Sequence, residues 1–251
     1  MKRQITKYFL LFFLLLDSVC GWGQAKIYTR KARLADFQTK ITKVVLSGNP
    51  ILDASLKEEI SSRWRISPFE FCNVADYEAL KDKTLYYFLR LASDRDFCYL
   101  ILTKGGPLED NDTRKERFDV VSLPVSSAGM AFGRELLYFS AFIDIIQDFM
   151  ERALISDNAA YRGVKTSRIP AGKTILLDAA AADSAFVAGR PDTISGLVIP
   201  STLRDGRGAC YKMLISTDDH RLHYLGKGKV RSEADLDFSA KERRTFSKKE
   251  K

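Results

Sequence analysis

Arg134 to Leu154 carries an apolar surface too wide for a helix that touches a core along a single stripe. Leu136, Phe139, Ile143, Ile146, Met150 and Leu154 recur near the helical period and mark one face, while Leu137, Phe142, Ile145 and Phe149 widen it. An ordinary surface helix buries a stripe of about 100°. A wider one must be covered from more than one side or run through the middle of the core. The rest of the chain has to wrap it. Glu135, Asp144, Asp148 and Glu151 leave no basic face, which argues against a helix lying on lipid. Asp144 and Asp148 read as a solvated edge.

The segments before this helix alternate strand and helix signals. Thr42–Ser47 (TKVVLS) reads as a strand, and Gly48, Asn49 and Pro50 follow. Asn49 can accept the first free amides of a helix, and Pro50 suits a position whose N–H would be unpaired anyway. Leu52, Leu56, Ile60 and Trp64 then recur at helical spacing until Ser67–Pro68. Phe69–Cys72 is a short strand. Asn73 with Asp76 predicts a capped helix through Leu80. Leu85–Leu91 and Phe97–Thr103 predict a hairpin about Ser93–Asp96, and Phe118–Leu123 a further strand.

Beyond the long helix the pattern turns to β. Thr174–Leu177 and Gly196–Ile199 are short strands with a loosely patterned, alanine-rich stretch between them. Tyr211–Ser216 and His220–Leu225 flank Thr217–Asp219 as a hairpin, Leu222 and Tyr224 facing one way and His223 and Leu225 the other. Ser156–Gly172 is the most linker-like segment, so a division into two lobes near residues 156–172 stays open. The fold class expected is α/β or α+β: one mixed, largely antiparallel sheet packed against helices at Pro50–Trp64 and Arg134–Leu154.

The first residues, MKRQITKYFLLFFLLLDSVCGWGQAK, read as an export signal covering residues 1–23. Lys2, Arg3 and Lys7 precede nine apolar residues, Tyr8–Leu16, and Gly21 and Gly23 stand at the cleavage positions before Gln24. Nine residues are too few to span roughly 30 Å of hydrocarbon. Cys20 offers a rival reading, lipid attachment, although Val19 is bulkier than the residue that usually precedes such a cysteine. Removing the leader leaves 228 residues, with a single globular domain expected over 24–226, and lowers the net charge from +8 to +6. Lys227–Lys251 holds nine basic and five acidic side chains, so most of that excess sits in what reads as a flexible, solvated tail. Such a tail suits weak contact with an anionic surface. Nucleic acid is a poor partner because export removes the chain from it, and no later segment is long and apolar enough to be a transmembrane helix.

Three cysteines come after the leader, Cys72, Cys98 and Cys210. An oxidising compartment permits a disulfide, Cys72 with Cys98 being the preferred pair, and free buried thiols are an equal alternative. Familiar chemistry is hard to find. Ala171-Gly172-Lys173-Thr174 resembles the end of a phosphate loop, but Ser167 stands where its first glycine belongs and an apolar strand comes next. His220 and His223 lie three apart on a strand, on opposite faces, so they are poorly placed to share a metal. No nucleophile elbow occurs around Ser195-Gly196, and nothing local pairs Cys98 or Cys210 with a histidine. No catalytic residue, cofactor site or metal ligand stands out. Paired carboxylates from distant positions remain open as a route to hydrolysis.

The segments KIYTRKARLADF (Lys26–Phe37), TKVVLSG (Thr42–Gly48), RWRISPFEFC (Arg63–Cys72) and YYFLRL (Tyr86–Leu91) resemble those of an uncharacterised family of exported Bacteroidetes proteins. VVSLP (Val120–Pro124), IDIIQ (Ile143–Gln147), CYKMLI (Cys210–Ile215) and HRLHYL (His220–Leu225) are similar to it as well. The resemblance covers most of the chain after the leader and implies a Gram-negative envelope location, periplasmic or secreted. It supplies no activity and no catalytic residue. More remotely, the opening strands and helix look like the small α/β domains of envelope assembly and accessory proteins. The function expected is that of a non-enzymatic binding or accessory module with an envelope protein as partner. The alternative is a hydrolase with a non-local active site.

Overall fold

The computed structural model describes residues 30–107, 118–128, 133–166, 169–201 and 208–247. A short helix, α1 (Arg30–Leu34), precedes strand β1 (Ile41–Val45). Helix α2 (Pro50–Arg63) begins as its sequence dictates: the Asn49 side chain accepts from the amides of Ile51 and Leu52, at 3.1 and 3.3 Å. Leu52, Leu56 and Ile60, one turn apart, form its buried face. After β2 (Phe69–Cys72), Asn73 and Asp76 cap each other's backbone amides at the start of α3 (Val74–Leu80). Asp94 holds the next turn, accepting from the amides of Asp96 and Phe97, both at 2.7 Å, between β3 (Tyr86–Ser93) and β4 (Phe97–Lys104). β5 (Asp119–Ser127) completes a five-stranded sheet of order β2-β1-β3-β4-β5, parallel among its first three strands and antiparallel beyond.

Helix α4 (Phe139–Ile155) comes after a 3₁₀ turn at Arg134–Tyr138. Phe139, Phe142, Ile143, Ile145, Ile146, Phe149 and Met150 are all buried. Ser140, Asp144, Asp148 and Glu151 occupy the remaining arc. It is buried on several sides because one continuous core joins this helix to Leu89, Leu100 and Leu123 of the first sheet and to Leu197, Met213 and Ile215 of a second.

That second sheet departs from the single sheet expected. It contains β6 (Thr174–Leu176), β7 (Thr193–Pro200), β8 (Gly208–Ser216) and β9 (Leu222–Val230), ordered β6-β7-β8-β9. Neither sheet continues the other's ladder, yet β5 lies against β7. The fold is thus α+β with two mixed, mostly antiparallel sheets. The alanine-rich stretch forms a helix, α6 (Ala179–Val187), capped by Asp178 and crossing between the parallel strands β6 and β7. The linker-like stretch also folds: α5 (Asp157–Arg162) buries Ala160, and Val164 and Ile169 are buried after it.

Two further expectations need correction. Lys227–Lys251 is no solvated tail over its described part. Lys227–Val230 finishes β9, and Phe238 and Phe246, the latter on α7 (Ala240–Ser247), are buried with Ile194 and Leu214 on the outer face of the second sheet. Two phenylalanines decide it, because the sheet's second face is apolar and needs a cover. The alternation expected along β9 also shifts. A register irregularity at Leu214/Ile215 sets Leu222 opposite Ile215, so Leu222 joins Leu225 on the main core and Tyr224 packs on the other face.

A polar knot ties the chain's start to the first sheet. The Asp36 carboxylate accepts from Tyr87 Oη at 2.6 Å and Lys104 Nζ at 2.9 Å, and pairs with Lys40 at 2.6 Å. Burial alone would push this acid up. Hydrogen bonds from Lys40, Tyr87 and Lys104 outweigh it and hold Asp36 at about 2. A folded-state value below the unfolded one stabilises the protein above about pH 4, and that contribution is lost as pH falls towards 2. The displacement is equivalent to ~2.4 kcal/mol at most. With 35% of the side chain exposed, about 1 kcal/mol is expected after solvent screening. Urea melts from pH 5 to pH 2 should show that loss in the native chain and a shallower one in Asp36→Asn.

Candidate functional site

The polar arc of α4 meets the β8–β9 turn beside the last turn of α2. Arg63 Nη1 donates to Asp144 Oδ2 at 3.0 Å, and His220 Nδ1 lies 2.7 Å from the same oxygen. Gln147 Nε2 donates to Asp144 Oδ1 at 3.3 Å, and Arg63 Nε to Glu59 at 2.7 Å. An ionised carboxylate only accepts, so His220 Nδ1 is the donor in this contact. The imidazole stacks on Phe186, centroids 5.2 Å apart and planes 19° from parallel. His220 adopts φ +55°, a left-handed conformation in which histidine is enriched among non-glycine residues. Backbone, carboxylate and ring together leave the side chain one orientation.

Arg63, Asp144 and His220 line an open cleft of about 510 Å³, with Ser140 of α4, Phe186 and Val187 of α6, and the turn residues Thr217–Asp219. Leu137 and Val187 stand on it 46% and 69% exposed. Asp218 is pushed up by burial, but backbone amides and Lys173 outweigh this and keep it below the usual carboxylate range. Two other clefts are more fully committed or flatter. Arg134 in one is spent on Asp183 at 2.6 Å and on the carbonyls of Gly196 and Ala179. Trp64–Phe69 line the other.

Asp144 is therefore more than a solvated edge, and His220, expected on the strand, lies in the turn before β9. His223 points elsewhere, its Nε2 2.8 Å from Ser216 Oγ. Asp148 does remain an exposed partner, of Arg152 at 2.8 Å. Thr174 starts a strand, so no helix N-terminus stands after Lys173 to gather phosphate. Ser167 of the same loop lies outside the described residues. Among the described residues no three His, Cys, Asp or Glu side chains cluster as metal ligands.

Of the two equal expectations for the cysteines, free buried thiols hold and the Cys72–Cys98 pair does not form. Cys72, Cys98 and Cys210 are all free and buried. Cys72 on β2 and Cys98 on β4 are three strands apart, about 14 Å at ~4.8 Å per spacing, whereas a bridge needs Cα atoms within about 7 Å. They also occupy different faces, Cys72 beside Phe88 and Cys98 in the main core. Burial pushes all three thiols up, which disfavours the reactive thiolate.

Sequence reasoning missed the Asp144–His220 contact because its members are 76 residues apart. The one local signal was the polar ladder Ser140, Asp144, Asp148 and Glu151 on an otherwise apolar helix. A double-mutant cycle on Asp144→Asn and His220→Ala is expected to give a coupling of about 1–2 kcal/mol in urea unfolding. A coupling near zero would show the contact to be incidental. No family model, curated protein or solved structure matches the chain.

Proposed function

We propose that this chain is an exported binding or accessory module of a Gram-negative cell envelope, periplasmic or secreted, and that the Asp144–His220 cleft is where it meets a ligand or protein partner. The leader Met1–Gly23 and the resemblance of its segments to exported Bacteroidetes proteins support the compartment, with lipid attachment at Cys20 as its variant. One observation carries the binding reading. Locked polar groups and the exposed apolar side chains of Leu137 and Val187 share one open cleft, a combination that binding sites use for orientation and for affinity. A photoreactive residue at Val187 should crosslink reproducibly to one envelope component, whereas the same residue at Ile51, 72% exposed elsewhere, should not. Equal or absent capture at both positions would defeat the reading.

The second reading, a hydrolase with a non-local site, draws on His220. With Nδ1 held by a carboxylate, the imidazole is oriented as in general-base catalysis, in which Nε2 of the neutral ring is the base. On this reading it takes a proton from water that attacks an acyl carbon and returns the proton to the leaving group. Ester hydrolysis above the buffer rate that disappears in His220→Ala and falls in Asp144→Asn would support it. Rates unchanged by both substitutions would dismiss it.

A further inference from the structure

We infer that the surface formed by α1, the end of α4 and α5 docks on an anionic phospholipid bilayer. The inference rests on the export reading above, which brings the chain to a membrane. Ile155 is 77% exposed and Tyr161 62% exposed. Basic side chains surround both. Lys31 Nζ donates to the Ile155 carbonyl at 2.9 Å, closing the C-terminus of α4, and Arg30 lies 5.9 Å from the Tyr161 ring. Arg152 in the last turn of α4 and Arg162 at the end of α5 are exposed.

Two features single out lipid. The stretches 30–33 and 148–165 hold six basic and three acidic side chains, a local net of +3. Exposed tips of isoleucine and tyrosine between arginines suit a bilayer boundary, where apolar atoms enter the acyl edge and guanidinium groups meet phosphate. The sequence before Arg30 also leads here. Thirteen residues separate Leu16, the end of the leader's apolar run, from Arg30 in this patch. Fully extended they reach about 45 Å. Before cleavage, or after lipid attachment at Cys20, this surface is the part of the domain nearest the tether. The C-terminal segment is the weaker candidate, because Lys227 and Lys229 belong to β9 and Phe238 and Phe246 pin the residues beyond that strand.

The test is flotation of the chain from Gln24 with vesicles of phosphatidylethanolamine and phosphatidylglycerol, against phosphatidylcholine alone. Binding is expected to the anionic vesicles only and to weaken with salt. Arg162→Glu should reduce it more than 5-fold, since losing one basic contact alone accounts for about that factor. Ile155→Ser with Tyr161→Ser should reduce it further, and Ile51→Ser should leave it unchanged. These positions are exposed, and circular dichroism of each variant checks that it folds. Absence of binding to anionic vesicles overturns the inference. So does binding that survives the patch substitutions and is lost when Lys248, Lys249 and Lys251 become glutamate. Cell fractionation separates the two claims: an intact cytosolic chain that still floats with vesicles would refute export alone.

Discussion

Replacing Phe142 with alanine is expected to lower the unfolding free energy by about 3–5 kcal/mol. The side chain is fully buried on the helix that both sheets enclose, and its ring meets Phe139 edge-on at 6.5 Å. The loss combines apolar surface no longer withdrawn from water with a cavity that the surroundings cannot fill. Relaxation is hindered because the site lies inside one continuous core that also holds buried residues of both hydrogen-bonded sheets, whose ladders resist collapse. Glu151→Gln, on the solvent arc of the same helix, should stay within about 0.5 kcal/mol. Urea unfolding at unchanged denaturant sensitivity is the measurement. A loss under ~1.5 kcal/mol in Phe142→Ala would mean that α4 is not central.

Gly105→Ala is expected to cost about 3 kcal/mol, the upper end for overpacking, through contact rather than conformation. A Cβ there would lie 2.4 Å from the Lys83 carbonyl oxygen, 2.8 Å from that of Tyr86 and 3.0 Å from the Phe88 ring. Two of these obstacles are backbone and cannot swing aside. The Gly105 amide also donates to the Tyr86 carbonyl at 2.9 Å, so retreat would break the bond that joins the start of β3 to the residue after β4. Gly48 makes the contrast. It has φ +85° with nothing near its missing Cβ, so Gly48→Ala should cost only the left-handed backbone penalty, about 1–2 kcal/mol. Equal effects at both glycines would refute the steric account.

These two expectations reflect different ranges of information. The burial of α4 was legible in the sequence because eight apolar side chains from Phe139 to Leu154 exceed one stripe, whatever they pack against, although Leu136 and Leu137, read with them, fall in the 3₁₀ turn before it. Gly105 was not, because its crowding comes from Lys83 and Tyr86, which reach it only once β3 and β4 have paired. The candidate site divides in the same way. Its β-hairpin turn could be read from Thr217–Asp219, and its helix from periodicity. That Asp144 would hold His220 could not, since nothing within a few residues of either bears on the other. The cysteines mislead for a related reason. Spacing along the chain carries no information about strand order, and strand order is what separates Cys72 from Cys98.

By itself the sequence determined what acts over a few residues: the Asn49–Pro50 and Asn73–Asp76 helix starts, the hairpin at Asp94, and a helix that must be enclosed. Capping bonds and side-chain periodicity are satisfied locally, so they survive any wider arrangement. The tertiary structure alone decided that two sheets rather than one do the enclosing, that Phe238 and Phe246 seal the second, and that Arg63, Asp144 and His220 converge. Each of those depends on apolar faces finding cover across the whole chain, and the polar groups meet where that packing carries them.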